Sequence, residues 1–159
     1  MTTMTSSRDK AQVTVPPPLF FLVPFGVGVA VQFTAPLPFL PTGWLQLALG
    51  LPIVGLGLVA LLWAVKTLTG AGTDLMFTKA TTAVLRQGPY RFSRNPLYLG
   101  VSVVYIGAGI AVNSVWPLAL FPVAVLLALF RAIRVEERYL ETKFGQPYRD
   151  YTSAVRRWL

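Results

Sequence analysis

Apolar residues in this chain come in long unbroken runs, with no period-two alternation. Four runs stand out. Leu19–Thr34 is interrupted only by Gln32, and Leu45–Val65 has Gln46 as its one strongly polar side chain. Leu97–Val112 and Val115–Phe130 follow. Continuous runs argue against strands, and a closed barrel needs at least about eight strands of roughly ten residues. Backbone groups in hydrocarbon must be satisfied internally, which leaves helices. Crossing a bilayer takes roughly 20 residues at about 1.5 Å each. The second run has 21 residues and meets this; the last two have 16 each. Those two either borrow length from their flanks or form a shallow hairpin. Pro24, Pro52, Pro117 and Pro122 predict kinks.

The polar stretches divide the rest. We expect an all-α integral membrane protein, about four transmembrane helices plus a cytoplasmic helical tail, as one domain over 1–159. Its parts are a polar N-terminal tail (1–17), two spans (18–65), a cytoplasmic loop (66–96), a helical hairpin (97–130) and the C-terminal tail (131–159). Composition agrees. Hydrophobic residues make up 54% and charged residues 13%, about half the share of a soluble domain, and mean hydropathy is +0.59.

The net charge of +8 would by itself suggest nucleic acid. Its distribution says otherwise. The basic excess sits in the N-terminal tail (Arg8, Lys10), the loop (Lys66, Lys79, Arg86, Arg91, Arg94) and the C-terminal tail, while 35–44 and 113–114 carry no charge. With four spans, all three charged regions share one face, and the positive-inside rule makes it cytoplasmic, N- and C-termini included. The excess then reads as orientation and attraction to anionic headgroups, with no nucleic-acid partner. The chain has no Cys and no His. That removes disulfides, thiolate sites and the commonest general base and metal ligand, so no metal site is expected.

Four segments hold the candidate chemistry. Gln87–Gly100 contains the turn pairs Gly88-Pro89 and Asn95-Pro96, with Asn95 placed to cap the third helix and Pro96 at its first position. It reads either as a turn into the membrane with Tyr and Arg anchors or as part of a site. Gly107-Ala108-Gly109 allows close helix packing or room for a flat ligand. In Arg131–Gly145 the fourth helix continues out of the membrane to a glycine cap at Gly145. Adjacent Glu136 and Glu137 point about 100° apart and cannot both face one ligand: either one faces inward to bind, with Glu137 favoured over Glu136, while the other pairs with Arg, or the segment is an ordinary solvated helix. Arg134–Glu137 and Arg138–Glu141 have the spacing of surface pairs. In the last segment Tyr148, Tyr151, Val155 and Trp158 recur on one face, either as an interfacial amphipathic helix or as a lid.

The ordered set Gly88-Pro89-Tyr90, Arg94-Asn95-Pro96-Leu97-Tyr98-Leu99-Gly100, an apolar hairpin, Glu136-Glu137 and Phe144-Gly145-x-x-Tyr148-x-x-Tyr151 resembles the membrane methyltransferases. These are the isoprenylcysteine carboxyl methyltransferases, the phospholipid N-methyltransferases and their bacterial relatives. The resemblance covers roughly Thr73 to Trp158; the first two spans match only in being apolar. It implies an S-adenosylmethionine-dependent enzyme of a bacterial inner membrane. Its cofactor would lie on the cytoplasmic side, against Gly88, Tyr90, Arg94, Asn95, Tyr98, Gly100, Gly107, Gly109, Glu136 and Glu137. Arg94, Asn95 and Arg134 are the catalytic candidates, and Tyr148, Tyr151 and Arg157 would meet a lipophilic or lipid substrate arriving from the bilayer. Asn95 stands where the family usually has His; Asn hydrogen-bonds but does not titrate, so a His base is out. Competing readings are a sterol-reductase-like protein, for which the chain is small, and a non-catalytic membrane protein such as an assembly factor or transporter subunit.

Overall fold

The computed structural model describes residues 18–41, 43–72 and 84–159. The polar N-terminal tail (1–17) and much of the loop, with Lys79, lie outside the described residues. Among those described, all regular structure is helical: α1 (Leu19–Thr34), α2 (Leu45–Gly70), a 3₁₀ turn (Gly88–Arg91), α3 (Pro96–Ala111), α4 (Val115–Ala128), a π turn (Leu129–Ile133), α5 (Arg134–Phe144) and α6 (Gln146–Ala154). Two helices are long and apolar enough to cross a membrane: α2, and the 30-residue helix Val115–Phe144 formed by α4, the π turn and α5. Their outer faces leave Leu51, Leu56, Val59, Leu62 and Leu126 exposed. The 16 residues each of α1 and α3 give roughly 24 Å, short of a bilayer core of about 30 Å.

Two boundaries differ from the sequence reading. α2 continues past Val65 to Gly70, because Lys66, Thr67 and Thr69 break the apolar run without breaking the helix. Pro117 occupies the first turn of α4, where its missing N–H has no intrahelical partner to lose; Pro24, Pro52 and Pro122 lie inside helices.

α2 pairs with α3 and α1 with α4. The α2–α3 seam is antiparallel and built on glycine. A Cβ on Gly50 would stand 2.5 Å from Ala111 N, and one on Gly107 2.6 Å from Val54 N. Seven residues further along, Cβ atoms on Gly57 and Gly100 would stand 2.7 Å from Val104 N and 2.9 Å from Leu61 N. Gly28 likewise faces the Pro117 backbone across α1–α4. Between the two pairs lies Tyr105, ringed by Phe21, Phe25 and Phe121, its hydroxyl donating to Pro117 O at 2.8 Å.

The α3–α4 turn holds the α1–α2 connection. Asn113, at φ +52°, accepts from Phe39 N and Leu40 N and donates through Nδ2 to Leu40 O. Ser114 Oγ and Leu37 N both donate to Gln32 Oε1, and Val115 N to Leu37 O. Asn113→Ala removes three hydrogen bonds and puts a less tolerant residue at positive φ, so it should cost about 2–3 kcal/mol. A lowered thermal midpoint in detergent, with Asn113→Asp intermediate, is the expected observation.

Candidate functional site

The site forms where the bundle meets the tail, at the α2 C-terminus and the α3 N-terminus. Its first part is a short loop. Gln87 is extended, Gly88 opens the 3₁₀ turn at φ +57° with Pro89 next in it, and Tyr90 is buried. Pro96 opens α3 as its composition predicts. Asn95 does sit at the N-cap position, yet its side chain does not cap the helix. It is turned toward the tail instead, donating from Nδ2 to Arg157 O at 3.1 Å.

The second part is the α5 register. The π turn adds a residue before Arg134 and rotates everything after it by about 100°. Ala132 and Ile133 of the π turn are buried, and beyond it Glu136 is buried while Arg134 points out and stacks on Phe130. The adjacent glutamates divide as expected from their spacing. Glu136 accepts from the Tyr98 hydroxyl at 2.8 Å. Glu137 accepts two bonds from Arg157, at 3.0 and 2.8 Å, and pairs with Arg94 at 3.3 Å. Its partners are therefore loop and tail arginines, not Arg134; Glu141 pairs with Arg149, not Arg138.

The third part is the tail. α6 ends at Ala154 and Val155 is extended, so the predicted helical face does not run on to Trp158. Tyr148 and Tyr151 are buried by the helix. Trp158 reaches the same interior by an extended path, packing on the cluster of Phe20, Phe21, Tyr98 and Ile133. Arg94 N donates to Arg156 O, Ser93 Oγ to Arg157 O, and the Tyr151 hydroxyl to Tyr90 O at 2.7 Å. Residues 155–158 thus form a strap stitched across 93–95.

These parts line a cavity whose empty space, open mouth included, is about 630 Å³. Tyr90, Arg94, Asn95, Tyr98, Glu136, Tyr148 and Tyr151 line it together with Leu68, Leu85, Leu97 and Leu140. Two buried polar atoms beside it have no hydrogen-bond partner among the described residues: the Tyr90 hydroxyl and Arg94 Nε. Burial pushes the Tyr148 and Tyr151 hydroxyls up to about 12, and Tyr90 higher still. Glu136 lies beyond the apolar segment that ends at Phe130, and burial pushes its carboxyl up to about 7 from 4.5. The Tyr98 hydrogen bond opposes that rise and the Glu137 charge adds to it.

The remaining sequence candidates lie elsewhere. Gly100 and Gly107 face α2 and Gly109 faces Leu118 of α4, all three in helix packing, while Gly88 serves the turn by its positive φ and lies against Thr67. Glu137 and Arg157 stand behind the lining as a clamp. Sequence reasoning passed over Ser93, whose Oγ also accepts from Asn95 N, and Arg86, which donates to Pro147 O at 2.7 Å. It also passed over the apolar wall. A leucine in an apolar run carries no mark of lining a cavity, and Ser93 reads as an ordinary turn residue.

Residues 45–147 match the family model described as PEMT, phospholipid methyltransferase. The match takes in α2, which the motif resemblance left out, and ends just before Tyr148. No curated protein matches the chain.

Proposed function

The chain belongs to the phospholipid methyltransferase family, and from that premise we propose an enzyme embedded in the membrane that moves a methyl group from S-adenosylmethionine to a lipophilic small molecule or lipid head group. The observation carrying this reading is the composition of the cavity. It combines a lone buried carboxyl, two unpartnered polar atoms and a leucine wall at the end of the apolar helices.

The residues present fit such a donor, which carries a cationic sulfur, an amino group, a carboxylate and ribose hydroxyls. Glu136 offers a negative partner for a cation. Arg94 has a free Nε, and its guanidinium presents a planar fork suited to a carboxylate. The Tyr90 hydroxyl can donate or accept. When bound, the donor supplies an electrophilic methyl group on positively charged sulfur. The chain's own contribution is alignment and dryness. Leu68, Leu85, Leu97 and Leu140 exclude water, and the strap over 93–95 holds Arg94 in place. An amine, thiolate or carboxylate acceptor already has its lone pair, which suits a site without His. The exposed leucines of α2 and the flanking basic segments support membrane embedding with this end cytoplasmic. A reporter fused after Leu159 should be active only in the cytoplasm.

S-adenosylmethionine should raise the thermal midpoint of the detergent-held protein and NADPH should not. At about 100 times Kd the stabilisation is about 2.7 kcal/mol. No shift with either ligand, in protein shown to be folded, would favour the non-catalytic reading.

A further inference from the structure

Glu136 is a buried acid with no cation paired to it among the described residues. It is 8% exposed, and its one hydrogen-bond partner among the described residues is the neutral Tyr98 hydroxyl. The charged and titratable groups around it come from five elements. Glu137 is on its own helix, Tyr98 on α3, Tyr90 on the 3₁₀ turn, Arg94 on the loop, and Tyr148 and Tyr151 on α6. Of the cations around the cavity among the described residues, Arg94 and Arg157 are paired with Glu137, Arg86 lies over the Tyr151 ring and donates to Pro147 O, and Arg149 is paired with Glu141; none is paired with Glu136. The tyrosines stay neutral at any ordinary pH. An unpaired carboxylate in such surroundings is costly, and the carboxyl answers by holding its proton.

We propose that the cavity takes its positively charged ligand by exchange: Glu136 stands protonated in the ligand-free protein, and the incoming cation displaces that proton to solvent. The carboxyl O–H bond breaks heterolytically, the proton goes to water or buffer, and no covalent bond to the ligand forms. The formal charge of the cavity is the same before and after, so a low-dielectric site never holds a lone charge. The inference rests on the methyl-donor reading and adds a direction to it. If the charge that Glu136 meets is the sulfonium, methyl transfer leaves a neutral thioether, the carboxyl recovers its proton, and the product is released. If it is the donor's ammonium, the product retains the exchange.

The raised Glu136 pKa also acts on the ligand-free protein. The folded state prefers the protonated acid, so the stability it contributes is complete below about pH 4.5 and is lost as pH rises through about 7.

The test is calorimetric titration of the full chain in detergent with S-adenosylmethionine, in two buffers of different ionisation enthalpy. At pH 6 close to one proton should be released per ligand bound. Affinity should rise up to about tenfold per pH unit below about 7 and then level off. At pH 6 the ligand's own α-amino group, with a pKa of about 7.7–8.0, stays protonated and adds nothing. Both effects should vanish in Glu136→Gln. In Tyr98→Phe, which removes the hydrogen bond that favours the ionised acid, the levelling-off should move to higher pH. S-adenosylhomocysteine tells the two charges apart: no proton release assigns the sulfonium, equal release the ammonium. Binding at pH 6 with no buffer-dependent heat overturns the exchange and leaves the donor reading standing. An unchanged proton count in Glu136→Gln does the same. If the Gln variant does not fold, the wild-type count and the Tyr98→Phe shift decide. No binding by folded wild-type protein removes the donor reading, and the exchange with it.

Discussion

Gly107→Leu should abolish the folded protein, and Gly107→Ala should already lower its thermal midpoint by several degrees. The Cβ of the alanine would lie 2.6 Å from Val54 N, 2.9 Å from Gly50 O and 3.0 Å from Ile53 Cγ2. Two of those atoms are backbone of a facing helix and have no rotamer to yield. The helices must separate, and overpacking of this kind costs about 1–3 kcal/mol. Alanine's better helix propensity returns only about 1 kcal/mol. Leucine cannot be accommodated without parting the whole α2–α3 seam, which also carries the Gly50–Ala111 and Gly100–Leu61 contacts. Gly55→Ala is the matched control. A Cβ there meets nothing within 4 Å, so the same change in α2 should be neutral or stabilising. Equal losses in Gly55→Ala and Gly107→Ala would mean that the glycine seam is not what holds these helices together.

Glu137→Ala should release the C-terminal strap and weaken binding of S-adenosylmethionine at least tenfold, although Glu137 does not line the cavity. Its carboxylate is 15% exposed and gathers two guanidinium groups from segments more than forty residues apart in sequence on one side and twenty on the other. Without it, Arg94 and Arg157 remain as neighbouring like charges. Removing one member of a buried pair costs about 3–5 kcal/mol; with Arg157 36% exposed, about 2–3 kcal/mol is the better expectation here. Arg157 is the anchor of the strap, since its carbonyl accepts from Ser93 and Asn95. Once loosened, residues 155–158 no longer hold Arg94 and Trp158 leaves its apolar cluster. Faster tryptic cleavage after Arg156 and Arg157 reports the release, and calorimetry reports the affinity. Glu137→Gln, which keeps a hydrogen-bond acceptor, should fall between. Unchanged proteolysis in Glu137→Ala would show that the backbone stitches at 93–95 suffice without the ion pairs.

Helical architecture was legible from sequence. Each run of apolar residues became a helix close to its predicted ends, at Leu19–Thr34 and Val115 onward, and α3 began at Pro96. That Glu136 and Glu137 point apart was also legible, because adjacent residues on a helix cannot face the same way; which of them lines the cavity was not, and the sequence favoured Glu137 where the structure places Glu136. What failed did so for identifiable reasons. Asn95 has the residue type and position of a cap, but its Nδ2 donates to Arg157 O and its side chain makes no cap bond to the helix N–H groups. Tyr148, Tyr151 and Trp158 do share an interior, yet by a helix that stops at Ala154 and an extended strap. Gly107 and Gly109 could serve packing or a ligand on the strength of sequence, and only the facing atoms of Val54 and Leu118 show the packing they make.

The sequence by itself determined which segments are helical and which ends carry charge. Those properties follow from local patterning, backbone hydrogen bonding and residue-by-residue transfer free energy, none of which needs a partner. The tertiary structure alone decided which glutamate meets the cavity, which arginines it leaves to the other, and what closes over them. These turn on helix phase after the π turn and on contacts between residues such as Tyr98 and Glu136 or Asn95 and Arg157, whose separation along the chain leaves no periodic trace.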